Sequence, residues 1–188
     1  YTEKINGTNA AVVVAPYTTD TDKSKAVDVV SVDGDLYGVW AQSRKRFITP
    51  GDDNFAFALW VYDNAPALVQ TLGVGRHFGE WWGKGIQGGY GMNDSRRFSL
   101  FNTKRWEDTL HWDYGHPDVR ELYMVPVLAK ETFSTETAKQ CVEFLREQGS
   151  QASLGFMEPE GVVVFHTASQ TPYKTFLEND DIPKSLQG

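Results

Sequence analysis

The stretch Glu3-Lys4-Ile5-Asn6-Gly7-Thr8-Asn9 runs directly into the apolar run Ala10-Ala11-Val12-Val13-Val14. A lysine close to a glycine, small polar residues around that glycine and a β-branched run behind it predict a tight turn entering a buried strand. The turn alone assigns no chemistry, because lysines are mostly exposed. Its meaning comes from segments further along, each of which supplies a part that a nucleophilic lysine needs.

At 188 residues and 40% hydrophobic content, the chain is long enough for one compact domain with a substantial core. A single cysteine, Cys141, excludes an internal disulfide framework and fits a reducing compartment. No apolar run approaches the roughly 18 residues of a membrane span, and no secretory leader opens the sequence. The chain starts in mid-motif without Met, so residues upstream are expected to be missing. A net charge of −7 argues against coating nucleic acid by bulk electrostatics. Basic residues nevertheless cluster at Arg44-Lys45-Arg46 and among Arg96, Arg97, Lys104 and Arg105, while acid concentrates at Asp20 to Asp35 and Glu178 to Asp181.

In chain order, the polar stretch from Thr18 to Lys25 reads as a loop. Ala26 to Val32 and Leu36 to Gln42 alternate around Asp33-Gly34-Asp35, a hairpin signal. A basic loop, Ser43 to Pro50, follows. Asp52, Asp53 or Asn54 can cap a helix over Phe55 to Asn64, and Pro66 starts a second helical piece to Leu72. Val74 to Glu80 reads as a strand that ends at the glutamate, before Trp81, Trp82 and a Gly-rich loop from Gly83 to Gly91. Arg97 to Phe101 and Leu122 to Val127 are further strands. Ser134 caps a helix with Ala138, Cys141, Val142 and Leu145 on one stripe and Gly149 at its end. Glu160 to His166 and Tyr173 to Leu177 are the last strands, separated by a turn containing Pro172. Many strands with short connections and few helices predict an α+β domain, mostly antiparallel, with flanking helices.

A lysine that attacks the α-phosphate of a nucleotide must shed a proton from an amine whose reference pKa is about 10.4. It also needs cations for the phosphates, a flat apolar surface for the base and hydrogen-bond partners for the ribose. The sequence offers one segment for each role, and in that order it resembles a known family. Glu3 to Asn9 is similar to the nucleotidyltransferase signature of the covalent ligases, in the variant of the phage RNA ligases that seal nicks in duplex RNA. Ser43-Arg44 with Pro50 resembles their basic segment, and Phe78-Gly79-Glu80-Trp81-Trp82-Gly83-Lys84-Gly85-Ile86-Gln87 their ribose-binding motif. Phe98-Ser99-Leu100-Phe101 resembles the adenine-stacking segment, Glu160-Gly161-Val162-Val163-Val164 the Glu-Gly-apolar motif, and Tyr173-Lys174 the last, lysine-bearing motif.

The resemblance implies a covalent-ligase nucleotidyltransferase domain over residues 1–188, unrelated to ATP-grasp, with no C-terminal accessory domain. It makes Lys4 the nucleophile that carries AMP, with Glu3, Ile5 and Asn9 beside the nucleotide. Arg44 would contact phosphate or the RNA end, and Glu80 would accept from the ribose. Phe101, ahead of Phe98, would stack on adenine. Glu160 would serve the divalent metal, Mg²⁺ or Mn²⁺, while Lys174 would hold the α-phosphate and, as a cation, favour the neutral amine of Lys4. Two positions depart from the pattern. Asn6 replaces an aspartate common in covalent ligases, and Lys174-Thr175-Phe176 lacks the second lysine of a Lys-x-Lys pair, for which Lys184 or Arg46 are candidate substitutes. His111 and His116 around Trp112-Asp113-Tyr114-Gly115 match no zinc spacing and read as a surface loop.

The implied activity is ATP-dependent RNA ligation through lysyl-AMP. Its partners are RNA ends or nicked duplexes, RNA or RNA/DNA hybrid, and the setting is a monomer in the cytoplasm of a phage-infected or bacterial cell. RNA would be held weakly and salt-sensitively through Arg44 to Arg46 and Arg96 to Arg105. The rival readings are a DNA-nick ligase or capping-type enzyme of the same superfamily, a non-catalytic nucleotide or RNA-end binding module, and a fragment that forms Lys4-AMP but seals nothing.

Overall fold

The β-branched run at 12–14 lies in the middle of β2 (Thr8–Pro16), one of the two central strands of the larger of two sheets. The computed structural model describes residues 1–18, 24–53, 55–169 and 171–177. The cap candidate Asn54, residues 19–23 of the polar loop, the acidic tail and Lys184 lie outside them.

The Asp33-Gly34 turn, with both residues at positive φ, joins β3 (Asp28–Val32) to β4 (Asp35–Ser43) as an antiparallel hairpin. The basic loop holds a short strand, β5 (Phe47–Ile48), paired with β4. Helices α1 (Phe57–Asp63) and α2 (Ala65–Leu72) are broken at Asn64, beside Pro66. Of the cap candidates, Asp53 accepts from the backbone N–H of Phe55 at 3.1 Å and from that of Ala58. Strand β6 (Gly75–Gly83) does not end at Glu80: it continues through Trp81 and Trp82, both buried. The sheet is completed by β7 (Arg96–Leu100) and β8 (Leu122–Met124), in the order β3-β4-β2-β6-β7-β8, antiparallel except for the β7–β8 pair.

One face of this sheet carries Val12, Val14, Val39, Ala41, Trp81, Phe98 and Leu100, and packs against Phe57, Trp60, Leu68 and Leu72 of α1 and α2. Alternation along the strands therefore sends the intervening residues, including Asn9, Gln42 and Glu80, to the opposite face. A one-turn helix, α3 (Thr103–Trp106), adds Trp106 to the same core. No helix among the described residues is long and apolar enough to cross a membrane.

The second sheet has three antiparallel strands, with β9 (Gly161–His166) between β1 (Thr2–Lys4) and β10 (Thr171–Phe176). The sequence reading had no strand at β1 and placed Pro172 in the preceding turn. Pro172 sits inside β10, an edge strand, where a missing N–H is tolerated. Helix α4 (Thr135–Gln148) backs this sheet: Ser134 accepts from the N–H groups of Glu136 and Thr137, and Gly149 ends it at φ 76°. Cys141, Val142 and Leu145 pack on Val162 and Val164.

Phe98 belongs to the core. It is fully buried, with ring centroids 5.0 Å from Phe57 and 5.6 Å from Trp60. Phe98→Ala should lower unfolding stability by roughly 3–5 kcal/mol, read as a fall in urea midpoint at unchanged m-value, whereas truncation of the 40%-exposed Phe101 should cost much less.

Candidate active site

Lys4 and Glu3 are neighbours on a strand, so their side chains leave on opposite faces. Glu3 points inward and is 1% exposed. Its Oε1 accepts from the Tyr90 hydroxyl at 2.8 Å and the Ser150 hydroxyl at 2.5 Å, and its Oε2 accepts from the N–H groups of Gln151 at 2.8 Å and Ala152 at 3.0 Å. Four donors fill the acceptor positions of one carboxylate. The expectation that Glu3 holds the nucleotide is corrected for its side chain, which is spent inside the protein. Burial pushes the carboxyl's pKa up, against these hydrogen bonds. Ile5 is likewise interior, packed with Trp82, Tyr90, Val125 and Ala152.

Lys4 faces the other way, and its Nζ pairs with Glu160 Oε1. Strand register sets this geometry. Lys4, Gly161 and Phe176 form one row across the small sheet, and Thr2, Val163 and Lys174 form the next row on the same face. The Lys4 ammonium lies 5.2 Å from the Phe176 ring centroid. Gly161 is required by this arrangement: its φ is 157°, and a Cβ would meet the Thr175 carbonyl oxygen at 2.1 Å. Gly7 is required for a different reason. A Cβ there would lie 2.6 Å from the Trp81 carbonyl oxygen and 3.0 Å from Glu80 Cγ, so the turn after Lys4 lies flat on β6.

Glu80 meets this cluster from the large sheet. Its pKa is pushed up to about 7, chiefly by burial; Glu160 adds to the rise, while Lys4, the Gly7 N–H and Lys174 oppose it. Those opposing charges place Lys4, Glu160, Lys174 and Glu80 within electrostatic reach of one another. Asn9 stands opposite Glu80 in the β2–β6 pairing and shares its face, whereas Arg44 lies in the turn between β4 and β5, where the Ser43 N–H donates to the Arg46 carbonyl. Phe101 also lies on this face: its N–H donates to the Phe78 carbonyl at 3.0 Å. Phe78, 45% exposed, and Phe101 form an aromatic floor beside Glu80. The structure thus brings Lys4, Glu80, Glu160 and Lys174 into one charged groove, with Asn9 paired to Glu80 and Phe101 beside Phe78 on the same face of the large sheet, while Arg44 is exposed in the turn after β4.

The basic clusters do not form one patch. Arg46 is paired in a two-point contact with Asp52. Arg97 lies 4.4 Å from the Tyr123 ring centroid and donates to the Ala152 carbonyl, whereas Arg105 lies on Trp106 and donates to the Leu72 carbonyl at the end of α2, on the helix side of the sheet. The expected basic surface from Arg96 to Arg105 is therefore split, with Arg97 and Arg105 turned to different sides. His111 stacks between Trp112 at 3.9 Å and Tyr114 at 4.5 Å, and His116 Nδ1 accepts from the Asp118 N–H. Sequence reasoning missed Tyr90, whose hydroxyl proton is shared more weakly with the Lys4 carbonyl at 3.2 Å and whose oxygen accepts from the Glu160 N–H at 3.2 Å. Burial, reinforced by Glu3, pushes its pKa far up, so it acts as a neutral phenol. A tyrosine in a Gly-rich loop carries no sequence signal for such a hub.

Among the described residues no three or more His, Cys, Asp or Glu side chains gather to hold a metal by themselves. Glu160 Oε2 is nevertheless buried without a partner, next to the second carboxylate, Glu80. This donor set fits a hard divalent cation that takes one or two carboxylates and completes its shell with phosphate oxygens and water.

A family model described as RNA ligase matches residues 1–176 of the chain. No curated protein and no solved structure matches it.

The raised pKa of Glu80 has a stability consequence. Its folded value, about 7, exceeds the ordinary 4.5. The folded state therefore binds more protons between these values, and the contribution of Glu80, fully present below pH 4.5, is lost as pH rises through about 7. In the nucleotide-free protein, Glu80→Gln should match wild type near pH 4.5 and exceed it at pH 8 by an amount on the order of 3 kcal/mol. Urea unfolding of both proteins from pH 4.5 to 8 measures the difference; a difference that does not grow with pH contradicts the assignment.

Proposed function

Because this chain belongs to the RNA ligase family, we propose that it is an ATP-dependent ligase of the nick-sealing type that works through a lysyl-AMP intermediate on Lys4. The observation that carries this reading is the convergence of Lys4, Glu160, Glu80 and Lys174, from four separate segments, on one groove. In the first step Lys4 Nζ bonds to the α-phosphorus of ATP, the bond to pyrophosphate breaks, and the amine loses its proton. An ammonium held against a carboxylate is no nucleophile, so the Lys4–Glu160 pair must separate before attack. AMP then passes to a 5′-phosphate RNA end. Last, the neighbouring 3′-hydroxyl attacks that phosphate and AMP leaves.

All three steps are in-line displacements at phosphorus, so positioning and charge neutralisation supply most of the catalysis. Glu80 is placed to accept from ribose hydroxyls, and the aromatic floor of Phe78 and Phe101 offers a stacking surface for adenine. Lys174, within electrostatic reach of Glu80, and Asn9, paired with it, would contact the phosphates, with Arg44 as a further cation. Mg²⁺ or Mn²⁺, held by Glu160 with Glu80 nearby, would neutralise phosphate oxygens during these displacements.

Intact-mass measurement after incubation with ATP and Mg²⁺ tests the first step. Wild type should gain one adenylate, removable by pyrophosphate, and Lys4→Ala should gain none. A wild-type mass that stays unchanged leaves the nucleotide-binding module as the reading.

A further inference from the structure

Beyond Lys174 the face of the small sheet that carries Lys4 continues toward the turn between β9 and β10. Register puts Lys4, Gly161 and Phe176 in one row, Thr2, Val163 and Lys174 in the next, and Phe165 with Pro172 in a third, all on that face. Burial follows the same alternation along β9: Val162 and Val164 pack on α4, whereas Phe165 is 49% exposed. The exposed Tyr173, paired with Val164, belongs to the reverse face. There its ring lies 5.7 Å from that of Phe133, which lies 5.5 Å from His166. Phe165 takes no part in that cluster and stands on the side of the two lysines.

Phe165 and Lys174 are diagonal neighbours, because Lys174 stands two residues along β10 from Pro172, the partner of Phe165. Such pairs lie about 7–8 Å apart, within reach of aromatic and long side chains. Lys174 is itself exposed, and its charge is felt at Glu80 in the groove. A ring alone would accept any apolar partner. A ring with an ammonium beside it, on the face of the lysine nucleophile, suits a stacked base whose own phosphate meets the cation. ATP does not supply that base when its adenine lies on Phe78 and Phe101, which belong to the large sheet. The remaining nucleotide is one of the RNA end, and the phosphate it brings toward Lys4 and Lys174 is the one that accepts AMP.

Resting on the ligase reading above, we propose that Phe165 stacks on the base of the RNA nucleotide that carries the reacting 5′-phosphate, with Lys174 beside it as the cation for that phosphate. Phe165 is then a substrate-binding residue for transfer of AMP to RNA and takes no part in forming lysyl-AMP. Every base offers a π-face, so the contact holds the RNA end without choosing its sequence.

Single-turnover measurements separate the two steps. Lysyl-AMP formation is followed by intact mass after mixing with ATP and Mg²⁺; transfer is followed by mixing preformed lysyl-AMP protein with a subsaturating nicked RNA duplex. Phe165→Ala should form lysyl-AMP at the wild-type rate and transfer AMP roughly tenfold more slowly. Phe165→Tyr, which keeps a ring, should retain most of the transfer rate. An abasic residue at the 5′-phosphate position should slow wild type by a similar factor and add nothing to the loss in Phe165→Ala. Because the ring is half exposed, the melting temperature of the alanine variant should stay near that of wild type. The proposal is overturned if Phe165→Ala transfers normally, if it slows lysyl-AMP formation as much as transfer, or if the variant and abasic losses simply add. Wild type that forms no lysyl-AMP, or passes none to RNA, overturns the ligase reading and this proposal together; wild type that does both confines any failure to Phe165.

Discussion

One phenol, that of Tyr90, holds together the two strands that carry the reactive groups. Its single proton is shared between Glu3 and, more weakly, the Lys4 carbonyl, and its oxygen accepts from the Glu160 N–H. Strand β1 is only three residues long and would be marginal by its own pairing. What fixes it is the buried carboxylate of Glu3, tied to Tyr90 and to residues 150–152. With Glu3 turned inward, strand alternation leaves Lys4 no direction except toward the groove. The inward residue is structural, and the outward one is the nucleophile of the proposed function.

The same alternation explains why one face of the large sheet is dry core and the other carries the charged groups near Lys4. Trp81 and Phe98 go to the helices; Glu80, one residue from Trp81, goes to the groove. A one-residue slip in the β2–β6 register would exchange these faces and put Glu80 among Phe57 and Trp60. Gly7 guards that register, because any larger residue would collide with β6.

Local chemistry made much of this legible in the sequence. The Asp33-Gly34 hairpin, the Ser134-to-Gly149 helix and the break between the two early helices follow from turn, cap and proline rules that act within a few residues. Long-range pairing was not legible. β1 is too short to show a period, and nothing within Val74 to Gly83 tells that Trp81 and Trp82 prolong a strand. Clustered arginines looked like a patch because sequence proximity hides that Arg97 and Arg105 turn to different sides. Glu3 was read as a ligand-facing neighbour of the lysine, although alternation on an unrecognised strand sends it inward. Tyr90 matters only through partners on distant segments.

Charge balance in the groove sets how a triphosphate can enter. Lys4 and Lys174 face Glu80 and Glu160, so two cations meet two carboxylates and the cluster offers no net positive charge. A polyanion gains little there, and Arg44, in the turn after β4, is a single, exposed charge. Two events would change the balance. Glu80, with its pKa pushed up to about 7, can take a proton near neutral pH and become neutral, or a divalent cation can arrive with the phosphates and engage the unmet Glu160 oxygen. A cation on Glu160 would compete with Lys4 for that carboxylate, whereas protonation of Glu80 only removes one negative charge from the cluster and leaves the Lys4–Glu160 pair in place. On the proposed function, a nucleotide would therefore gain most where it brings a compensating positive charge with it, and a cation drawn to Glu160 would at the same time compete with Lys4 for that carboxylate.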